Sequence, residues 1–389
     1  MPLARKLRYG MVGGGPGAFI GAVHRRAAAM DGLADLVAGA FSARPDDSHQ
    51  MGRDLFLDPY RVYGTFAEMA EREAALPPGE RIDFVSIVTP NATHFPVARA
   101  FVERGFHVVC EKPMTVTLAD AETLCRLVAE RGVVFALTHT YAGYPMVKQA
   151  RALVQQGTIG PVRRVLVEYT QGWLATRLEA TGSQQAGWRT DPAQAGAGAI
   201  GDIGSHAEHL ARYVTGLALA EIFADVSTMV TGRRVDDDAS MLLRFDGGAR
   251  GTLTCSQVLV GEENNLRLRV FGSEGTLEWN HVEANVLRVR REGQPEAIHT
   301  RGNDYLAPTA RHAARIPSGH PEGYLEAFAN IYANAMRTIV ARIAGDEPDP
   351  LDLDFPGVRD GAAGVHFIHA ALESGREGRW VDARYTPPA

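Results

Sequence analysis

Leu7-Arg8-Tyr9-Gly10-Met11-Val12-Gly13-Gly14-Gly15-Pro16-Gly17-Ala18-Phe19-Ile20-Gly21 is the stretch that decides the fold. Leu7 to Val12 reads as a short strand, the glycines as a tight turn, and Ala22 to Met30 as a helix. Strand, glycine-rich turn and helix in that order are the setting in which a dinucleotide pyrophosphate is held. The first glycine permits the turn and the second lets the backbone approach the anion. The helix start then offers unpaired N–H groups and the positive end of its dipole. Gly13, Gly15 and Ala18 fit GxGxxA; alternatively, Pro16-Gly17-Ala18 is an insertion and Gly21 is the third glycine. Phe19 and Ile20 join Gly13 and Gly15 as candidate cofactor contacts. Arg5, Lys6 and Arg8 ahead of this run imitate a secretory leader, but the glycines and Pro16 make a poor apolar helix.

Outward from the turn, strand-like and helix-like segments alternate. Leu36 to Phe41, Asp83 to Val88, His107 to Cys110 and Val133 to Leu137 read as strands, with helices at Pro96 to Arg104 and Leu118 to Arg131. Thr117 is a good cap for the last of these. Such alternation predicts a parallel sheet covered by helices. After about residue 145 the pattern changes. A helix from Pro145 to Gln156 is followed by period-two strands at 163–171, 221–230, 239–245, 249–258, 266–271 and 286–291. Asp246-Gly247-Gly248 predicts a hairpin turn. Leu174 to Ala199 reads as a long loop, and Tyr324 to Ile343 and Gly357 to Ser374 as helices. The expected architecture is an α/β domain with a parallel sheet over residues 1–140 and an α+β domain with a mostly antiparallel sheet over 141–389.

The 389 residues carry a net charge of −6 with no long block of one sign, which argues against nucleic acid or an anionic membrane as partner. No apolar run is long enough to span a bilayer. The three cysteines, Cys110, Cys125 and Cys255, form no CxxC pair, so no disulfide framework or thiolate metal site is expected, and a reducing, cytoplasmic setting fits.

Three rims of polar residues carry the chemistry. Phe41-Ser42-Ala43-Arg44 ends the second strand without the acid that would bind a ribose diol. Ser42 and Arg44 suit a 2′-phosphate, Ser42 equally a free hydroxyl, so NAD and NADP both stay open. Thr89-Pro90-Asn91-Ala92-Thr93-His94 follows the third strand, and Thr89, Asn91 and His94 are candidate cofactor contacts; turn chemistry is the competing reading of Asn91. Glu111-Lys112-Pro113 follows His107 to Cys110. A lysine at the carboxyl end of a parallel strand faces the ligand crevice and can stabilise a developing alkoxide. Its competing reading is an ordinary exposed lysine.

Gly201-Asp202-Ile203-Gly204-Ser205-His206 opens a further helix. Asp202 and His206 stand four apart and share a face. Histidine is the natural proton acceptor near neutral pH, and the oxidation of an alcohol needs one. Two other readings compete: Asp202 as a helix cap, and, more weakly, Asp202 with His206 and His209 as metal ligands, for which no other ligand follows by spacing.

In this order, these motifs resemble the Gfo/Idh/MocA oxidoreductase family. Trp188-Arg189 before Asp191-Pro192, and Gly157-Thr158-Ile159-Gly160-Pro161, add to the likeness. The resemblance implies a Rossmann domain binding NAD or NADP, with Glu111 and Lys112 near the cofactor and no metal. It implies that Lys112 bridges substrate and nicotinamide, that Asp202 binds substrate, and that His206 is the general acid/base. Tyr141 and Arg189 become further substrate contacts. It also implies that the second domain's sheet is large, open and mostly antiparallel, with a homodimer or homotetramer built on its outer face. The expected reaction is hydride exchange between nicotinamide and a ring hydroxyl or ketone of a sugar, glycoside, anhydrosugar or cyclitol. Two alternatives stand beside it: glycoside cleavage through transient oxidation on retained NAD, and a non-catalytic dinucleotide sensor.

Overall fold

The computed structural model describes residues 5–388, so the outermost ends of both expected domains lie outside the described residues. In the first unit, β1 (Leu7–Gly13), β2 (Ala34–Ala40), β3 (Phe84–Val88), β4 (His107–Cys110) and β5 (Phe135–Leu137) form a sheet in the order β2-β1-β3-β4-β5. All four pairings are parallel. β3 is buried at each of its positions, as its continuous apolar run requires of a strand covered on both faces. Between the strands run α1 (Phe19–Ala29), α2 (Pro45–Asp54), α3 (Phe66–Ala75), α4 (His94–Val102) and α5 (Leu118–Arg131). The Thr117 side chain accepts from the Asp120 N–H at the start of α5, and Gly132, at φ 61°, ends it. The strand order reverses between β1 and β3, so the ligand crevice of this sheet lies at their carboxyl ends.

The boundary at Thr140 is followed by a return. The first unit takes in Tyr324–Ala362 as well, while the second holds Tyr141–Gly323 and Ala363–Thr386. The helix Tyr324–Ala344 therefore departs from the sequence expectation, which kept it with the second domain. The reason lies in its apolar face. Phe328, Ile331, Tyr332, Ala335, Met336 and Ile339 join one buried cluster with Leu7, Tyr9, Met11, Val23 and Phe84. Beyond β5 the edge is closed by the Leu137 N–H, which donates to the Pro356 carbonyl at 2.8 Å.

The second unit is built on β6 (Val162–Thr170), β7 (Leu219–Ser227), β8 (Asp238–Phe245), β9 (Arg250–Ser256), β10 (Asn265–Gly272), β11 (Gly275–Asn280), β12 (Val286–Arg291), β13 (Ala297–Thr300) and β14 (Val381–Asp382). They lie in the order β13-β12-β11-β10-β6-β9-β8-β7-β14. The pairings are antiparallel save one: β6 and β9 run parallel, with Thr170 opposite Ser256. Asp246-Gly247-Gly248 makes the expected hairpin, both glycines at positive φ. Val165, Val167, Met241, Leu243, Leu253, Leu266 and Leu268 point to a buried face. Over it lie α6 (Pro145–Gln155) and, after the short α7 (Gln184–Arg189) and α8 (Pro192–Ala195), α9 (Ser205–Thr215). The other face is polar, with Glu278 paired across strands to Arg267 and Arg290. Among the described residues no helix is long and apolar enough to cross a membrane.

Candidate active site

At the first unit's sheet edge, Gly13, Gly14 and Gly17 take φ values of 86°, 73° and 77°. A methyl group on Gly13 would stand 2.6 Å from the Val88 carbonyl oxygen, and one on Gly15 2.7 Å from that of Phe41. The turn is therefore threaded between the ends of β2 and β3, with bare backbone on both sides. A methyl group on Gly21 would fall 2.4 Å from the Gly14 Cα, so Gly21, not Ala18, is the glycine that lets helix and strand close up. α1 begins at Phe19, earlier than its periodicity suggests, with no side-chain cap and no acid in its first turn. Its leading N–H groups thus face the turn uncompensated by side chains. Phe19 is exposed, whereas the Ile20 side chain packs against the core and leaves only backbone to a ligand.

Thr89, at the end of β3, buries its hydroxyl oxygen with no hydrogen-bonding partner among the described residues. An orphaned donor beside a cradle that any side chain would fill is what a bound dinucleotide completes. Ser42 accepts from the Arg44 N–H at 3.2 Å, and the Arg44 guanidinium is drawn to Asp47, with Nε 2.7 Å from the carboxylate. Asn91 is buried and opens a short helical turn.

Two expected cofactor contacts have partners within the protein. His94 is fully buried, its ring nitrogens 2.8 and 2.9 Å from the carbonyl oxygens of Pro113 and Thr89. A neutral ring donates from one of these nitrogens, so it bonds one rim and packs against the other. Burial holds its pKa below the usual range. Glu111 also turns inward, its carboxylate accepting from His24 at 2.7 Å and from Thr138 at 2.6 Å. Lys112, by contrast, is only half-buried at the end of β4. The Lys112–Pro113 peptide is cis.

In the second unit the parallel pair β6 and β9 ends on one edge, where antiparallel β10 begins. Three strand ends thereby bring Tyr169, Gln171, Gln257 and Asn264 together. Asn264 Oδ1 accepts from Tyr169 at 2.7 Å and from Gln171 at 2.6 Å, and its Nδ2 lies 3.3 Å from the Tyr141 hydroxyl. Tyr141 and Tyr169 also hydrogen bond directly. The Tyr141 hydroxyl is thus engaged within the protein rather than free for substrate; burial, foremost, raises its pKa. Its ring meets that of His206 edge-on at 4.9 Å, and Tyr169 flanks the same imidazole at 6.3 Å.

Asp202 lies in a π-helical turn, Ile200–Gly204, directly ahead of α9. Insertions of this kind gather at functional sites because they re-aim side chains. Its carboxylate accepts from Gln257 Nε2 at 2.8 Å and stands 3.5 Å from Arg189 Nε. The Arg189 guanidinium lies 4.2 Å from the centre of the Trp188 ring. Asp202 is not the cap of this helix. That role falls to Asp236, whose carboxylate accepts from the Gly198 and Ile200 N–H groups at 2.7 Å each. His209, buried and stacked on Tyr213, is a core histidine. Among the described residues no three His, Cys, Asp or Glu side chains are grouped to hold a metal.

The sequence reading missed Tyr169, Gln171, Gln257, Asn264 and Asp236. The Gln and Asn residues at successive strand ends were the available signal, but only the β6–β9 and β10–β6 registers make them neighbours.

Residues 7–139 match the family described as the oxidoreductase family with NAD-binding Rossmann fold, and residues 147–278 match the GFO/IDH/MocA C-terminal domain. The structure resembles an oxidoreductase from Sinorhizobium meliloti at 46% identity and TM-score 0.88, covering 97% of this chain and 100% of that one. It resembles an inositol dehydrogenase homolog from Azotobacter vinelandii, complexed with NADH and myo-inositol, at 36% identity and TM-score 0.90, covering 97% and 98%. The sequence is 26% identical to a levoglucosan dehydrogenase from Pseudarthrobacter phenanthrenivorans over 73% of this chain and 76% of that protein.

Proposed function

Because the chain belongs to the Gfo/Idh/MocA family of NAD-binding oxidoreductases, we propose that it oxidises a ring CH–OH of a cyclitol, sugar or anhydrosugar, or reduces the matching ketone. The observation that carries this reading is the fixed carboxylate of Asp202, held by Gln257 and Arg189 one turn ahead of His206. A carboxylate held by one hydrogen bond and one ion pair, both on the same oxygen, keeps lone pairs to accept from a substrate hydroxyl. The bound relatives point the same way: myo-inositol and levoglucosan are both rings of adjacent hydroxyls.

NAD, when bound, would supply the hydride acceptor or donor. Gly13, Gly15 and the first turn of α1 would hold its pyrophosphate by backbone N–H groups, with Thr89 and Asn91 on the neighbouring rim. The Lys112 ammonium donates to the reacting oxygen and stabilises the alkoxide as the C–H bond weakens. His206 takes the hydroxyl proton in oxidation and returns it in reduction. Tyr141 and Tyr169 keep its ring from turning, and Asp202 sets which hydroxyl faces it. NAD is the preferred nucleotide, since the cation that would meet a 2′-phosphate, Arg44, is occupied by Asp47. The sheet's outer face, with its Arg–Glu pairs, is the surface on which copies associate into a dimer or tetramer.

Nicotinamide reduction by a panel of cyclitols, aldoses and anhydrosugars tests the assignment. One or more should turn over, and Lys112→Ala and His206→Ala should bind NADH yet lose turnover. Activity intact in both variants, or release of an aglycone with no net reduction, would overturn it.

A further inference from the structure

Trp173 is 37% exposed, whereas Trp279 on the same sheet is buried. It stands on the segment that leaves β6, and backbone bonds pin that segment on both sides of it. The Leu259 N–H donates to the Gln171 carbonyl at 3.0 Å, and the Leu174 N–H donates to the Gln257 carbonyl at 3.1 Å. The indole itself is aimed. Its Nε1 donates to Gln171 Oε1 at 3.0 Å, and the Gln171 amide is oriented in turn by Nε2, which donates to Asn264 Oδ1 at 2.6 Å. The indole nitrogen is therefore satisfied within the protein, and what the ring offers outward is apolar surface.

This surface lies beside the groups assigned to the substrate. Gln171 Oε1 is 3.5 Å from Gln257 Nε2, the donor to Asp202. The Arg189 guanidinium, whose Nε is 3.5 Å from Asp202, lies 6.0 Å from the centre of the Trp173 ring. Leu259 and Val260, both exposed, continue the apolar rim. A carboxylate, a guanidinium and an open indole thus gather where β6 and β9 end. Leaving an indole in water forgoes the stabilisation of burying it, so a rigidly held one beside polar groups fits a ligand with both kinds of surface. A six-membered polyol ring is divided in that way. Its equatorial hydroxyls point outward around the rim, and its axial C–H bonds clear an apolar face that suits the negative face of an aromatic ring.

We propose that Trp173 is a specificity-determining residue: the C–H face of the substrate ring lies on its indole while equatorial hydroxyls reach Asp202 and Arg189. The substrate class this selects is a cyclitol or pyranose with at least one face free of axial hydroxyls. The inference rests on the role given to Asp202 above. The indole supplies contact and orientation but neither proton nor hydride, so its removal falls on KM more than on kcat.

The test compares three rings. In scyllo-inositol every hydroxyl is equatorial, myo-inositol keeps one face clear, and D-chiro-inositol carries an axial hydroxyl on each face. The wild-type protein should turn over the first two with higher kcat/KM than the third. Trp173→Ala should raise KM for the first two by roughly tenfold, with kcat and the D-chiro-inositol kinetics changed less. Trp173→Phe, which keeps an aromatic face and drops the N–H, should retain most of the preference. If Trp173→Ala does not fold, Trp173→Leu takes its place with the same expectation, because it has no aromatic face. A wild-type preference for D-chiro-inositol, equal losses for all three rings, or no loss overturns the inference. So does altered sedimentation with polyol kinetics intact, which would make the indole a contact between copies. If no polyol turns over, the hydride-transfer assignment fails by itself, and calorimetric titration of scyllo-inositol into the NADH-loaded wild-type and Trp173→Ala proteins decides. Weaker binding in the variant supports the inference; equal binding, or none in either, overturns it.

Discussion

Gln257 Nε2 donates to Asp202 Oδ2 at 2.8 Å from a position that is almost wholly buried. Gln257→Leu conserves volume and removes this donor. A hydrogen bond to a charged group contributes about 1.5–3 kcal/mol, so kcat/KM for the polyol should fall roughly 10- to 100-fold. NADH affinity, measured by fluorescence titration, should stay at the wild-type value.

The closeness of Gly14 and Gly21 predicts a second result. Gly21→Ala would place a methyl group 2.4 Å from the Gly14 Cα, which only movement of α1 against β1 can relieve. Overpacking of this sort costs about 1–3 kcal/mol. A lower thermal midpoint is expected, with NADH binding weakened by about tenfold or more. Gly187→Ala, at a position with nothing near its absent side chain, is the control.

The pairing of Arg44 with Asp47 bears on nucleotide choice. Asp47→Ala should release the guanidinium and raise the ratio of kcat/KM with NADP to that with NAD several-fold. Arg44→Ala should leave NAD kinetics nearly unchanged. A ratio that does not move in Asp47→Ala would discount the argument.

Stability should also depend on His107. Burial, foremost, lowers its pKa to about 4, and its Nδ1 accepts from the Val134 N–H at 2.9 Å. Below the unfolded value of about 6.5 the unfolded chain takes up a proton that the folded ring refuses. Stability is therefore lost as pH falls from about 6.5 to about 4, by on the order of 3 kcal/mol in total. His107→Asn keeps an acceptor near Val134 and cannot titrate. Urea unfolding between these pH values should show a flatter acid limb in that variant.

The parallel sheet was legible because strands buried on both faces leave continuous apolar runs, as at Asp83 to Val88. Lys112, Asp202 and His206 were legible because each sits in a short local motif. α2 was not: its ten residues bury only Ser48 and Gly52, so no apolar period marks it. Gln257 and Asn264 came together only because β6, far from both in the chain, lies between β9 and β10, which local patterning does not encode. A lone histidine such as His24 reads on a helix as a core residue, and its partners at 111 and 332 are equally remote. The helix Tyr324–Ala344 showed its period but not the surface it covers.

That returning helix sets an order of events during synthesis. The faces of α1 and β1 that receive Phe328 and Tyr332 emerge from the ribosome first, and their cover emerges only after residues 141–323 have been made. The nascent dinucleotide fold must therefore wait, uncovered, through the making of another sheet. A chain cut at Thr140 would keep every glycine of the turn and still present a bare apolar flank, a substrate for chaperones rather than a working half.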